Sequence, residues 1–155
     1  MYHAIVERKL RSIFAHINAR NTAPMLDSLS EKFSYRFKGD TCLGGERRTR
    51  DAIAQWWQRI FRLFPEARFE VDDVLVKGWP WATTIATRLT LRARLADDPN
   101  YENHVMQFMT MRWGKVTRIV TIEDSLKCKS ALDRMAARGI TEALAPPILD
   151  QAVAA

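Results

Sequence analysis

Residues 102–123 read ENHVMQFMTMRWGKVTRIVTIE, and this stretch decides the fold class. Val105, Gln107, Met109 and Met111 alternate with His104, Met106, Phe108 and Thr110. A period of two fits an extended strand with two different faces, and Gly114 stands where a tight turn between antiparallel strands belongs. Working outward, extended segments are predicted over Phe69–Lys77, Trp81–Leu95, Glu102–Trp113 and Lys115–Glu123. The breaks between them, Gly78-Trp79-Pro80, Asp97-Asp98-Pro99-Asn100 and Gly114, carry turn-forming residues. The second half of the chain reads as a sheet.

Upstream the period is helical. Val6, Leu10, Ile13 and Ile17 form one apolar stripe on a first helix that stops near Asn21. Thr22 is placed to cap a short second helix with Pro24 in its first turn, running through Leu26 and Leu29 towards Glu31. Phe33 to Phe37 then alternates aromatic with polar residues, as a half-buried strand does, and Gly39 and Gly44-Gly45 break it. A third helix is expected from about Thr49 to Phe64, with Ile53, Trp56 or Trp57, Ile60 and Phe64 on one face and Pro65 ending it. Ser125 opens a last helix through Leu132 and Met135 to Arg138, stopped by Gly139. Helices first and strands afterwards point to an α+β domain over residues 1–138, its helices packed on one face of a curved antiparallel sheet. An irregular, apolar C-terminal tail over residues 139–155 completes the chain.

Composition narrows the class. At 155 residues with 47% hydrophobic and 27% charged side chains, such a chain buries roughly 70% of its surface, enough for one core. Six Gly and six Pro argue against a collagenous or low-complexity polymer. No apolar run approaches the ~18 residues of a membrane span, so a membrane partner is not expected. Met1 to Lys9 holds no apolar signal segment, which leaves the cytoplasm as the expected compartment. Cys42 and Cys128 have neither CxxC spacing nor a neighbouring His, as expected of free thiols rather than a metal site. The net charge of +6 lies wholly in the first half: residues 1–68 hold 13 basic and 7 acidic side chains, residues 69–155 hold 11 of each. Its densest run, Glu46-Arg47-Arg48-Thr49-Arg50-Asp51, is interrupted by acids and accompanied by no recognisable nucleic-acid-binding motif. Nucleic acid is therefore not an expected partner.

In this order of elements, Phe37-Lys38-Gly39-Asp40 precedes Arg50-Asp51-Ala52-Ile53, Tyr101-Glu102-Asn103 opens a strand, and Arg112-Trp113-Gly114-Lys115-Val116 leads to Glu123-Asp124. The combination resembles the nuclear transport factor 2-like superfamily, with its SnoaL-like cyclases and ketosteroid isomerases, over about residues 5–128. The resemblance implies a cone-shaped (cystatin-like) α+β fold whose interior is a pocket for a small, largely apolar molecule, with no cofactor and no metal. It places Asp40 at the proton-shuttling Asp of the isomerases, thirteen residues before Ile53. The isomerase oxyanion donors fall at Ile13 and Gln107, and the SnoaL-type base and its histidine at Thr121 and Gln107. Of the limonene epoxide hydrolase Asp-Arg-Asp trio, Arg88 and Asp124 match and Thr90 replaces the third member.

The residues themselves keep two classes open. One is a cofactor-independent isomerase, cyclase or hydrolase, with Asp40 as general base and Arg88, held by Asp124, stabilising an oxyanion on a carbonyl or polyketide-like substrate. The other is a non-catalytic binding or assembly module with the same pocket. Asp40 also suits a turn, and Asp124 a helix cap. His104 reads as an interface or core residue. A mostly apolar pocket of at least roughly 300 Å³ is expected, lined by Phe37, Trp57, Tyr101, Val105, Gln107 and Met109. Apolar residues on both faces of the long strands, with helices for only one, predict a homodimer.

Overall fold

A computed structural model describes residues 1–151. Four helices, α1 (Tyr2–Asn18), α2 (Ala23–Ser28), α3 (Arg50–Leu63) and α4 (Ser125–Ala137), accompany six strands. These are β1 (Leu29–Phe37), β2 (Gly45–Arg47), β3 (Arg68–Trp79), β4 (Ala82–Ala93), β5 (Tyr101–Arg112) and β6 (Lys115–Glu123). They form one open, curved sheet in the order β2-β1-β6-β5-β4-β3.

The sheet is mixed rather than antiparallel throughout. β3, β4, β5 and β6 form a meander, and β2 pairs antiparallel with β1, but β1 lies parallel to β6. Hairpin connections force antiparallel neighbours, whereas β1 and β6 are joined only through the rest of the chain, so their relative direction is set by the closure of the fold. The short second helix also ends sooner than expected. Leu29, Ser30 and Glu31 already belong to β1, where Leu29 is buried against the sheet instead of continuing the helix face.

Local chemistry explains the firmer boundaries. The Thr49 hydroxyl accepts from the Ala52 N–H to cap α3, and the Asp124 carboxylate accepts from the Lys127 N–H to cap α4. The cap of α4 is thus Asp124, with Ser125 the first helical residue. Trp113 and Gly114 turn from β5 to β6 with φ of 50° and 79°, the left-handed pair that matches strand twist in a two-residue hairpin. α1 is laid along the β3 edge. The Asn18 side chain donates to the Phe69 carbonyl and accepts its N–H, and Arg20 donates to the Ala67 carbonyl.

The inner face of the sheet and the helices enclose the core. Trp56 lies at its centre, 1% exposed, with ring centroids 5.1 Å from Tyr35, 5.5 Å from Phe37 and 5.1 Å from Trp57. Its indole N–H donates to the Leu43 carbonyl at 2.8 Å. The segment after α4 docks as well: Glu142 pairs with Arg59 and Arg62, and Asp150 accepts from the Arg48 and Thr49 N–H groups. Trp56→Ala removes a large core side chain and leaves the Leu43 carbonyl without its donor. A loss of about 3–5 kcal/mol is expected in urea unfolding followed by circular dichroism.

Candidate functional site

Strand parity selects the side chains that face inward. On β5, Tyr101, Asn103, Val105, Gln107, Met109 and Met111 are buried while His104, Met106 and Phe108 are exposed. On β6, Ile119 and Thr121 are buried, and Glu123 shares their parity. Between this face and α3 lies a cavity whose lining includes Phe37, Trp57, Tyr101, Val105 and Gln107, together with Tyr35, Thr121, Glu123 and Cys128. Five of the six residues expected to line a pocket therefore meet at one cavity. Met109 does not; it lines a separate cavity under α1.

The central cavity holds about 30 Å³, room for roughly one water. The expected pocket of a few hundred Å³ is filled instead by Trp57, Phe64, Phe69 and their aromatic neighbours. Few polar atoms face it, and they are ordered. Gln107 Nε2 donates to Thr121 Oγ1 at 3.1 Å, and Thr121 Oγ1 donates to Tyr35 Oη at 3.4 Å. The Tyr35 hydroxyl is held protonated, its pKa pushed up to about 12 by burial against the opposing hydrogen bond from Thr121. Trp57 Nε1 is buried with no hydrogen-bond partner among the described residues. A buried donor without an acceptor costs about 1–3 kcal/mol, and the residue that carries it is part of the cavity lining.

Glu123 is the one carboxylate in that lining. It ends β6, where Asn103 Nδ2 donates to Oε2 at 3.3 Å. Burial raises its pKa to about 7; the Cys128 thiol, by hydrogen bonding to it, pulls the other way, and the nearby Asp124 charge adds to the rise. The same surroundings push the Cys128 thiol far up, chiefly through burial, so it stays a neutral, unreactive neighbour.

The residues expected to do chemistry sit elsewhere. Asp40 is exposed in the loop after β1 and borders a surface groove of about 300 Å³ between that loop, α4 and the segment after it. Arg88 lies on the outer face of β4, where it pairs with Asp73 at 2.7 Å and not with Asp124. Asp124 caps α4. The physical reason is parity: Thr83, Ile85, Thr87, Leu89 and Leu91 form the inward face of β4, and Arg88 belongs to the opposite, outer face, where it is exposed. The basic run after Glu46 is likewise dispersed. Arg47 is fully buried with its guanidinium on the Leu43, Gly44 and Gly45 carbonyls, Arg48 pairs with Glu46, and Arg50 donates to Leu29 and Ser30 carbonyls. Glu123, Thr121 and Tyr35 were not expected at the site as a group. The signal for Thr121 and Glu123 was that they share the parity of Ile119 on β6, and for Tyr35 the alternation of Phe33, Tyr35 and Phe37 on β1.

The SnoaL-like domain matches residues 10–119 of the chain. This protein belongs to the SnoaL-like family. Solved structures of the same fold include IdmH from Streptomyces antibioticus, a candidate polyketide cyclase, at 16% identity and a TM-score of 0.64 over 82% of this chain and 97% of that one. PrhC from Penicillium brasilianum is similar at 13% identity with a TM-score of 0.73, covering 90% and 93%. TerC, crystallised with polyporic acid, is similar at 14% identity with a TM-score of 0.69, covering 81% and 96%. At these identities the likeness establishes the SnoaL-like fold. No curated protein matches the chain. No helix among the described residues is long and apolar enough to cross a membrane.

Glu123 yields a signed pH prediction. Its folded pKa, about 7, lies above the ordinary carboxylate value, so folding favours the protonated form. That contribution is fully present below the unfolded pKa and is lost as pH rises to about 7. Relative to Glu123→Gln, the wild type should lose about 2–3 kcal/mol of stability between pH 4.5 and 8. Parallel urea titrations of both proteins across that range check this, and parallel curves would place the proton elsewhere.

Proposed function

We propose that the central cavity takes a small, largely apolar carbonyl compound and that Glu123 moves a proton for it, in the manner of an isomerase or cyclase that needs no cofactor. The observation that carries this reading is a carboxyl group with a pKa of about 7 in an aromatic cavity whose Trp57 N–H has no partner. Near neutral pH such a carboxyl populates both forms, so it can accept a proton from an acidic C–H and return it to another carbon. The negative charge then gathers on the carbonyl oxygen. Trp57 Nε1–H and the Tyr35 hydroxyl, kept protonated and fed by the Thr121–Gln107 chain, supply donors for that oxygen. The family and the candidate cyclase IdmH, together with the polyporic acid with which TerC was crystallised, favour an aromatic or polyketide-like carbonyl as the ligand class.

A cavity of about 30 Å³ admits such a ligand only if its wall moves. α4 is one of the walls, and its Cys128 lines the cavity. Opening exposes that thiol. In a Cys42→Ser background, aromatic ketones and quinones that bind should slow or speed alkylation of Cys128 severalfold, whereas a rigid, filled core leaves its rate unchanged.

With a turned-over substrate from the same panel, Glu123→Gln should lower kcat by about 10² or more with little change in KM. The wild-type kcat/KM should rise with pH through about 7 as the base ionises. A second reading, a binding module without chemistry, is favoured by the apolar Ile13 and neutral Thr121 at the positions where relatives place catalytic groups. Saturable binding without turnover, equal in wild type and Glu123→Gln, decides for it.

The reading includes a homodimer through the outer face of the sheet. Leu75, Met106, Phe108 and Ile122 are all more than half exposed there and line one groove. Around them Arg88–Asp73 and Arg92 with Glu70 and Glu102 form ion pairs of both signs. A charge-balanced rim around an apolar centre suits a two-fold contact, in which each patch meets its own copy. Light scattering should give twice the monomer mass for the wild type and the monomer mass for Met106→Glu/Phe108→Glu.

A further inference from the structure

α1 spans the sheet like a beam fixed at both ends. At its start the Tyr2 hydroxyl bonds Thr83 Oγ1 at 2.6 Å and His3 Nε2 bonds the Gly78 carbonyl at 2.8 Å; at its end Asn18 holds Phe69. Arg11 donates to the Val71 carbonyl between them. All four ties run to β3 or to the start of β4 beside it, so the helix follows that edge and leaves space over the middle of the sheet. The space is a cavity of about 190 Å³, several times the size of the central one. Val6, Leu10 and Ile13 of α1 roof it, and Ile85, Met109 and Met111 form its floor.

Two lysines stand at or near its rim, Lys9 within the lining and Lys115 next to the lining residue Gly114, with Asp27 as the acid beside Lys115. Lys9 Nζ is held only by the Gly114 carbonyl at 3.4 Å, and Lys115 Nζ by the Asp27 carbonyl at 2.6 Å. Gly114 and Ser28, the neighbours of Lys115 and Asp27, line the cavity. Neither ammonium has a carboxylate within ion-pairing distance among the described residues. By contrast Glu7, the acid nearest on α1, is taken by Arg11.

We propose that this cavity binds the alkyl chain of a free, linear fatty acid, with its carboxylate at Lys9 and Lys115. At about 30 Å³ for each water-sized group, 190 Å³ accommodates an alkyl segment of about six carbons, with the remaining carbons reaching the lysines. Two unbranched methionine side chains on the floor adjust to a flexible chain better than β-branched residues do. The charge at the rim selects an anion over a cation of the same length. The site is separate from the central cavity and does not depend on proton transfer by Glu123.

Calorimetry with decanoate, decanol and decyltrimethylammonium, each below its micelle concentration, tests the proposal on the full chain. Decanoate is expected to bind one per chain, decanol at least tenfold more weakly, and the cation not at all. Lys9→Glu/Lys115→Glu, two exposed changes, should weaken decanoate at least tenfold with an unchanged circular dichroism spectrum. Ile5→Glu, which puts a charge at the exposed mouth, should do the same, and Glu123→Gln should retain full affinity. Failure of decanoate to bind, equal binding of the anion and the cation, or insensitivity to the lysine reversals overturns the proposal. So does loss of binding in Glu123→Gln alone, which would place the ligand in the central cavity. Co-sedimentation with phosphatidylglycerol vesicles in the absence of decanoate binding would assign the two lysines to a membrane surface and likewise overturn it.

Discussion

The buried indole of Trp56 is the contact on which the other elements depend. Its ring meets Tyr35 and Phe37 of β1 and Trp57 of its own helix, the Arg47 guanidinium stacks over it at 5.3 Å, and its N–H reaches the Leu43 carbonyl. One side chain thereby ties α3, the first strand and the loop between them. The loop is tight: a Cβ at Gly44 would lie 2.1 Å from the Gly39 carbonyl oxygen, so only glycine permits it. Arg47 then closes the loop from inside by donating to carbonyls at Leu43, Gly44 and Gly45. Burial lowers the pKa of that guanidinium to about 10, still well above neutrality, so its charge is retained and spread over carbonyl dipoles and an aromatic face instead of a carboxylate.

Fixing α3 in this way sets the dimensions of the interior. With Trp57 and Ile60 carried on the same helix and Phe64 just past its end, the space between α3 and the sheet is reduced to about 30 Å³, while α1, tied mainly to the β3 edge, leaves a larger gap at the other end. The two cavities differ in chemistry as well as size. The central one contains a carboxyl group poised near neutrality and an orphan N–H; the one under α1 is apolar with two lysines at or near its rim. Of the two, the central cavity holds the carboxyl group, and the other has room for a chain without rearrangement.

Much of this was legible from alternation and helical spacing. The inward set Val105, Gln107, Met109 and Met111 was assigned correctly because side chains on a strand alternate strictly, and the apolar stripe Val6, Leu10, Ile17 of α1 because helical periodicity is equally strict. The resemblance to SnoaL-like proteins rested on turn and loop residues in order, and the match over residues 10–119 establishes it. The candidate site was legible in part. Phe37, Trp57, Tyr101, Val105 and Gln107 converge on one cavity, but Asp40 and Arg88 do not join them. A position aligned across remote relatives preserves its place along the chain more readily than the direction of its side chain. Arg88 has the parity of the solvated face, so its partner is the neighbouring Asp73 across the strand pair and not Asp124.

By itself the sequence determined the run of helices and long strands and most of the turns between them, because these follow from local sterics and from periods of two and 3.6 residues; it did not give the early end of α2, the short strand β2 or the outward direction of Arg88. Tertiary structure alone decided that β1 runs parallel to β6, since no short connection constrains that pair. It also decided that Glu123 is held near pH 7, because that shift comes from burial by residues far away in the chain. And it decided where empty space remains, since cavities are what is left when distant side chains of given volume fail to fill the gap between elements whose positions are set elsewhere.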